Sequence, residues 1–268
     1  SIVVTVVGCL LTILVIWTRP ALRKLVNAPL VSLGCADILF VTLYSPSWIQ
    51  QILNPQWEPP PALCWLVSYS STVLWGISLS HMLCIALQRY FKICTNSTRL
   101  NSKPALVIML LLTWLFPMVL FLPLYVVEEV KVDPKLKRCA VGRSDKLWAK
   151  IPPVVLVFIL PYFAALAFYI LLQNHVRKSK KRVQAQGPPA ERQITKMMMM
   201  LFVVYTLCCM PMTLMVIFSS KVPAEAFTVG QLLALLNGAL NPVVYGVMNK
   251  NIRQGYKHIW DRVLNFIT

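Results

Sequence analysis

Apolar residues run in long blocks along this chain, and polar residues cluster in the short gaps between them. Seven blocks stand out, near residues 1–17, 28–52, 62–93, 104–125, 150–176, 192–220 and 226–248. A bilayer core of about 30 Å takes about 20 residues of helix. The blocks are far longer than the roughly 10-residue strands of a membrane barrel. Backbone groups in lipid must be satisfied internally, so the blocks predict seven transmembrane helices. The first is short for a span, and the natural protein is expected to begin earlier, with an extracellular tail. Past the seventh, Ile252, Tyr256, Ile259, Trp260 and Val263 recur at helical spacing with basic residues between them. That pattern predicts an amphipathic helix over 250–266, lying on the inner membrane surface. The fold class expected is an all-α membrane protein, one seven-helix domain over 1–268 plus this surface helix.

Composition agrees. Of 268 residues, 57% are hydrophobic and 13% charged, with a mean hydropathy of +0.66. A soluble domain carries roughly 25% charged residues, so an aqueous fold is excluded. The net charge of +17 does not form the basic, aromatic-laced face of a nucleic-acid binder; no nucleic acid is expected. The charge sets orientation instead. Eighteen of the 26 Lys and Arg lie after the first, third, fifth and seventh spans. These loops are expected in the cytoplasm, with the N-terminus outside and the tail inside. One outer loop breaks the pattern. Between the fourth and fifth spans, Lys131, Lys135, Lys137, Arg138, Arg143, Lys146 and Lys150 face Glu128, Glu129, Asp133 and Asp145. It is long enough to fold over the mouth of the bundle. The eight cysteines show no CxxC or Cys/His spacing, so no metal site is expected. Most read as small buried apolar residues, but Cys64 and Cys139 lie in or beside polar loops.

Asp37 is the acidic residue well inside a span, where an ionisable group is a functional candidate by default. Ser78, Asn237 and Asn241 are its plausible polar neighbours, and together they could hold a hydrated sodium ion. Helix-breaking prolines stand at 161, 211 and 242, where each frees backbone carbonyls and makes a hinge.

Several motifs then fall in one order. Asn241-Pro242-Val243-Val244-Tyr245 resembles the NPxxY motif of rhodopsin-like (class A) G-protein-coupled receptors. Gln88-Arg89-Tyr90 resembles their DRY motif. Leu33 and Asp37, Trp57, Trp114, Pro161 with Tyr169, and Pro211 also sit at family positions. The resemblance covers spans two to seven and the tail. It implies a disulfide between Cys64 and Cys139. It implies that Arg89 pairs with Glu191 to hold the sixth span inward, and that Tyr169 and Tyr245 restrain Arg89 once the pair breaks. Heterotrimeric G protein is the implied partner, with arrestin and membrane lipid beside it. The implied location is the plasma membrane and the implied role is a receptor, not an enzyme. Around Asn237–Gln254 the chain is also similar to the medium-chain fatty-acid-responsive orphan receptor, and around Tyr245-Gly246 to melatonin receptors.

Four departures change the picture. Gln88 replaces an aspartate, Cys9 an asparagine, Cys209 a tryptophan, and Asn96-Ser97 a proline and a bulky apolar residue. The Gln88 and Cys209 changes lead us to expect raised basal activity; Trp75 is the candidate to supply the bulk missing at Cys209. Ser71 stands where amine receptors carry an aspartate, which disfavours an amine ligand. By family position the pocket wall includes Tyr44, Ser71, Trp75, Met212 and Gln231. Under a basic loop it suits a lipid-like acid. A peptide is the alternative ligand, or the loop charges only neutralise one another. A non-signalling scaffold receptor and a transporter are the rival classes; a transporter would need related halves and paired midplane charges.

Overall fold

In the computed structural model, nine α-helices and one two-stranded sheet are formed among the described residues. The structure describes all but residues 1, 24–26, 96, 98, 143–146, 182–188, 218–221 and 268. The side chains of 101, 147, 149, 179–181, 189–192, 217, 263, 266 and 267 also lie outside the description. In chain order the helices are α1 (Ile2–Thr18), α2 (Ala28–Leu53), α3 (Pro61–Cys94), α4 (Lys103–Val127), α5 (Leu147–Val154), α6 (Leu160–Lys181), α7 (Pro189–Ile217), α8 (Ala224–Met248) and α9 (Lys250–Ile267). A π-helical turn, Val155–Ile159, joins α5 to α6 into the fifth span. The observed spans follow the apolar blocks to within a few residues.

Proline starts several of these helices. Pro29, Pro61 and Pro104 sit in the first turns of α2, α3 and α4, where the missing N–H is no loss. A single residue, Asn249, leads the chain from α8 into α9. The Asn249 N–H donates to the Tyr245 carbonyl at 2.9 Å. Its side-chain Oδ1 accepts from the Asn251 and Ile252 amides at 3.1 and 3.3 Å. One asparagine thus ends α8 and caps α9.

Burial ranks the helices. Over its apolar window α3 is 67% buried, against 22% for α4 and for the fifth span. The central helix is therefore α3, packed on α2, α4, α6 and α7. On α4, Val107, Ile108, Leu111, Leu112 and Leu115 are each more than half exposed. A contiguous apolar face of that size suits lipid, not water. In contrast α9 presents Ile252 to the core while Lys250, Arg253 and Lys257 stay exposed.

The loop before the fifth span folds as a hairpin that the periodicity did not reveal. β1 (Val130–Asp133) pairs antiparallel with β2 (Arg138–Val141), with Val132 opposite Cys139. Cys139 is disulfide-bonded to Cys64 at the start of α3. The bundle thus has a hairpin end and an α9 end.

The π-turn has a packing partner. It drives Val157, fully buried, against Gly76 and Pro117. A Cβ at Gly76 would lie 2.4 Å from Val157 Cγ1, and a valine in a helix cannot rotate away. Gly76→Ala should therefore cost about 1–3 kcal/mol by overpacking, read as a lower melting temperature of the purified protein. Adding Val157→Ala should restore most of it; no recovery in the double variant would show that the contact is not the cause.

Candidate functional site

Three polar centres lie along the bundle, each built by residues that apolar helices would otherwise exclude.

At the hairpin end, the turn between the strands is fixed by its own sequence. The Asp133 carboxylate accepts from the Lys135 and Leu136 amides at 2.8 and 3.0 Å, the usual way an aspartate sets a turn. Lys137 takes φ 48°, in the left-handed region, and returns the chain to β2. The turn enters the mouth of the bundle. Gln231 Nε2 on α8 donates to the Leu136 carbonyl at 2.7 Å, and the Tyr44 hydroxyl on α2 donates to Gln231 Oε1. Lys135 Nζ lies 5.7 Å from the centre of the Phe227 ring, and the Arg138 guanidinium 6.0 Å from that of Tyr44. Both are cation–π distances. Arg138 Nε is buried with no hydrogen-bond partner among the described residues. Of the five expected wall residues, Tyr44 and Gln231 thus meet. Ser71 bonds the Ser68 carbonyl of its own helix, Met212 packs at Gly230, and Trp75 lies in the cavity below.

That cavity is the second centre. Asp37, Trp75, Ser78, Tyr205, Cys209, Asn237 and Gly238 are among the residues that line it. Asn241 Nδ2 donates to Asp37 Oδ2 at 2.8 Å. The side-chain oxygens of Asn237 and Asn241 are buried without partners among the described residues. Ser78 sits on the same cavity but donates to the Leu74 carbonyl. Trp75 on α3 and Cys209 on α7 both line the cavity. Pro242 has no N–H, which deprives the Gly238 carbonyl of its helical donor. The Cys9 thiol, a weak donor, lies 4.0 Å from that oxygen. Gly8 lets α1 come this close, because a Cβ there would lie 2.9 Å from the Pro242 ring.

The third centre is the α9 end. Arg89 is 1% exposed, and Gln88, Tyr169 and Tyr245 are buried with it. Met197, Met198 and Leu201 of α7 are also buried there, so the bundle is closed over Arg89. Tyr90 turns aside to Phe168, 5.2 Å between ring centres. Gln193 Nε2 ties α7 to the Met248 carbonyl at 2.7 Å. Glu191 lies in the first turn of α7, but its side chain is outside the described residues, as is Asn96. Pro161 and Pro211 fall within the fifth span and α7.

Sequence reasoning missed two further groups. His81, buried on α3, bonds Ser32 on α2 at 2.8 Å, and Trp114 on α4 donates to the same Ser32 hydroxyl at 2.9 Å. A histidine in mid-span was the signal that could have found this triad. On α9, the Tyr256 hydroxyl lies 2.6 Å from Thr12 of α1 and donates to the Pro242 carbonyl at 3.3 Å. Burial pushes its phenol up to about 12, against a smaller opposite pull from Thr12. It therefore stays protonated and able to donate at physiological pH.

Residues 8–245 match the family described as 7 transmembrane receptor (rhodopsin family). Among curated relatives, the melatonin receptor type 1B of Homo sapiens is 27% identical, covering 96% of this chain and 75% of its own. The type 1B-B receptor of Danio rerio is 26% identical, over 97% of this chain and 79% of its own. The type 1B receptor of Mus musculus is 28% identical, over 94% and 73%. The chain belongs to the rhodopsin-family seven-transmembrane receptors, plasma-membrane proteins that signal through G proteins and are not enzymes.

Proposed function

We propose that this receptor passes a signal from outside the cell to heterotrimeric G proteins, and that its ligand is an apolar molecule with an anionic head. The hairpin end faces outward and the α9 end faces the cytoplasm. Basic residues support that orientation, since most Lys and Arg lie in the loops and tail at the α9 end. The ligand reading rests on Arg138. Its buried, unpartnered Nε is a charge-assisted donor waiting for an acceptor, and carboxylates match guanidinium best. Aromatic and aliphatic side chains beneath it suit an apolar tail.

The test uses receptor in lipid nanodiscs with a saturated medium-chain carboxylate and the matching alcohol. The acid should stimulate nucleotide exchange and the alcohol should not. Arg138→Gln should raise the half-effective acid concentration about tenfold or more, as expected for a hydrogen bond to a charged group. Melatonin belongs in the same assay, given the names of the relatives. A response to melatonin that ignores Arg138→Gln would sink the acidic-ligand reading.

Signalling runs through Arg89. In the inactive bundle its pairing with Glu191 would hold α7 inward, and Tyr169 and Tyr245 would hold Arg89 after α7 swings out. Ligand binding biases the two states. Gln88 supplies no carboxylate to keep Arg89 inactive, so ligand-free exchange should be high. Gln88→Asp should lower it and Arg89→Ala should abolish it. Basal exchange that is the same in Gln88→Asp as in the native receptor contradicts the basal-activity reading.

A sodium ion beside Asp37 is part of the same proposal. A carboxylate and two unpartnered carbonyl oxygens are the donors a hard cation prefers. Sodium chloride should raise the melting temperature more than choline chloride does, and Asp37→Asn should erase the difference. An equal response in both proteins argues against the ion.

A further inference from the structure

The end of α8 is a helix terminus in need of donors, since the last carbonyls of a helix have no N–H of their own to accept. Two are met from the chain just beyond. The Tyr245 carbonyl accepts from the Asn249 amide at 2.9 Å, and the Val247 carbonyl from the Arg253 guanidinium at 3.4 Å. A third is met from another span. The Met248 carbonyl accepts from Gln193 Nε2 of α7 at 2.7 Å. Gln193 stands near the start of α7, and its side chain is exposed.

We propose that Gln193 is a latch on α7, a side-chain cap on the end of α8 that must let go before the bundle opens over Arg89, and that it sets the receptor's ligand-free activity. The proposal rests on the receptor reading above, in which α7 swings outward.

Apolar contacts also hold α7 at this end, through the buried Met197, Met198 and Leu201. Such contacts have no preferred direction, so side chains can slide and keep them. A hydrogen bond cannot slide. Moving α7 away by about 1 Å takes donor and acceptor beyond bonding range. The bond between Gln193 and Met248 therefore opposes the first step of opening. Its exposure keeps it weak, because water meets both groups as soon as they part.

The latch is distinct from the pair proposed for Arg89. Glu191 and Gln193 are two residues apart, which sets them about 160° apart around a helix. One side of α7 is then held to α3 and another to α8. The Gln193 bond is also uncharged, so the missing carboxylate at Gln88 does not weaken it. Opening would leave the Met248 carbonyl uncapped beside Asn249, the residue that joins α8 to α9.

Three substitutions test this in lipid nanodiscs. Gln193→Leu removes the donor and should raise ligand-free nucleotide exchange about threefold, a factor suited to one exposed hydrogen bond in a two-state balance. Gln193→Glu keeps the size but aims an acceptor at the carbonyl, and should raise it at least as much. Gln193→Lys keeps a donor and should stay at the native level. Deuterium exchange of the amides at 194–199 should quicken in the first two and not in the third. Nucleotide exchange at or below the native level in Gln193→Leu overturns the latch. So does a rise in Gln193→Lys that equals the rise in Gln193→Leu, since any change at the position would then loosen the end. Should Gln193→Leu fail to fold, Gln193→Glu takes its place. Adding Gln193→Leu to Glu191→Gln should multiply the two rises; a double variant no higher than Glu191→Gln alone overturns a separate latch. Failure of the G-protein reading looks different, because neither the native receptor nor any variant then exceeds Arg89→Ala in nucleotide exchange. The latch is then judged by the amides at 194–199: faster deuterium exchange in Gln193→Leu than in Gln193→Lys supports it, and equal rates overturn it.

Discussion

A backbone in lipid has no water to bond, and this one condition governs where polar chemistry appears in the bundle. Helices meet it with their own hydrogen bonds, and proline interrupts them. Pro242 frees the Gly238 carbonyl, and the Cys9 thiol of a neighbouring helix turns to it. Gly8 and Gly238 make the approach possible by having no side chain to obstruct it: a Cβ at Gly8 would strike Pro242, and one at Gly238 would crowd Thr5. A break in one helix thus draws in polar groups and close contacts from others. The Asp37–Asn241 pair sits one turn away from this break.

The same condition decides what could be read in advance. Span positions were legible because lipid demands unbroken apolar length, and α9 was legible because a surface helix demands two faces. The hairpin was not. Val130–Asp133 alternates apolar and charged residues over only four positions and Arg138–Val141 does not alternate, so their order comes from Asp133, the ladder and a tether to Cys64. Those are contacts across the loop and across the fold, which periodicity cannot show.

The candidate site divides along similar lines. Asp37, Arg89 and the prolines announce themselves, because a buried charge or a missing donor in a span is costly and stands out. Arg138 did not stand out among seven basic residues in one loop; its buried Nε and its position over Tyr44 separate it in the structure. The five expected wall residues were placed by family position, and the structure engages two of them with the hairpin. Trp75 sits lower, beside Cys209 and Tyr205 on the cavity wall. The sequence order of motifs carries the framework, while side-chain pairing across helices carries the specificity.

Asn249 has a mechanical side. Its amide is anchored on the Tyr245 carbonyl and its side chain on the first turn of α9. A helix through the membrane and a helix along its surface therefore share one residue as their elbow. Tyr256 braces the elbow from below, against Thr12 and the Pro242 carbonyl. The two arms are joined with little slack, so a shift of the last turn of α8 carries the first turn of α9 with it.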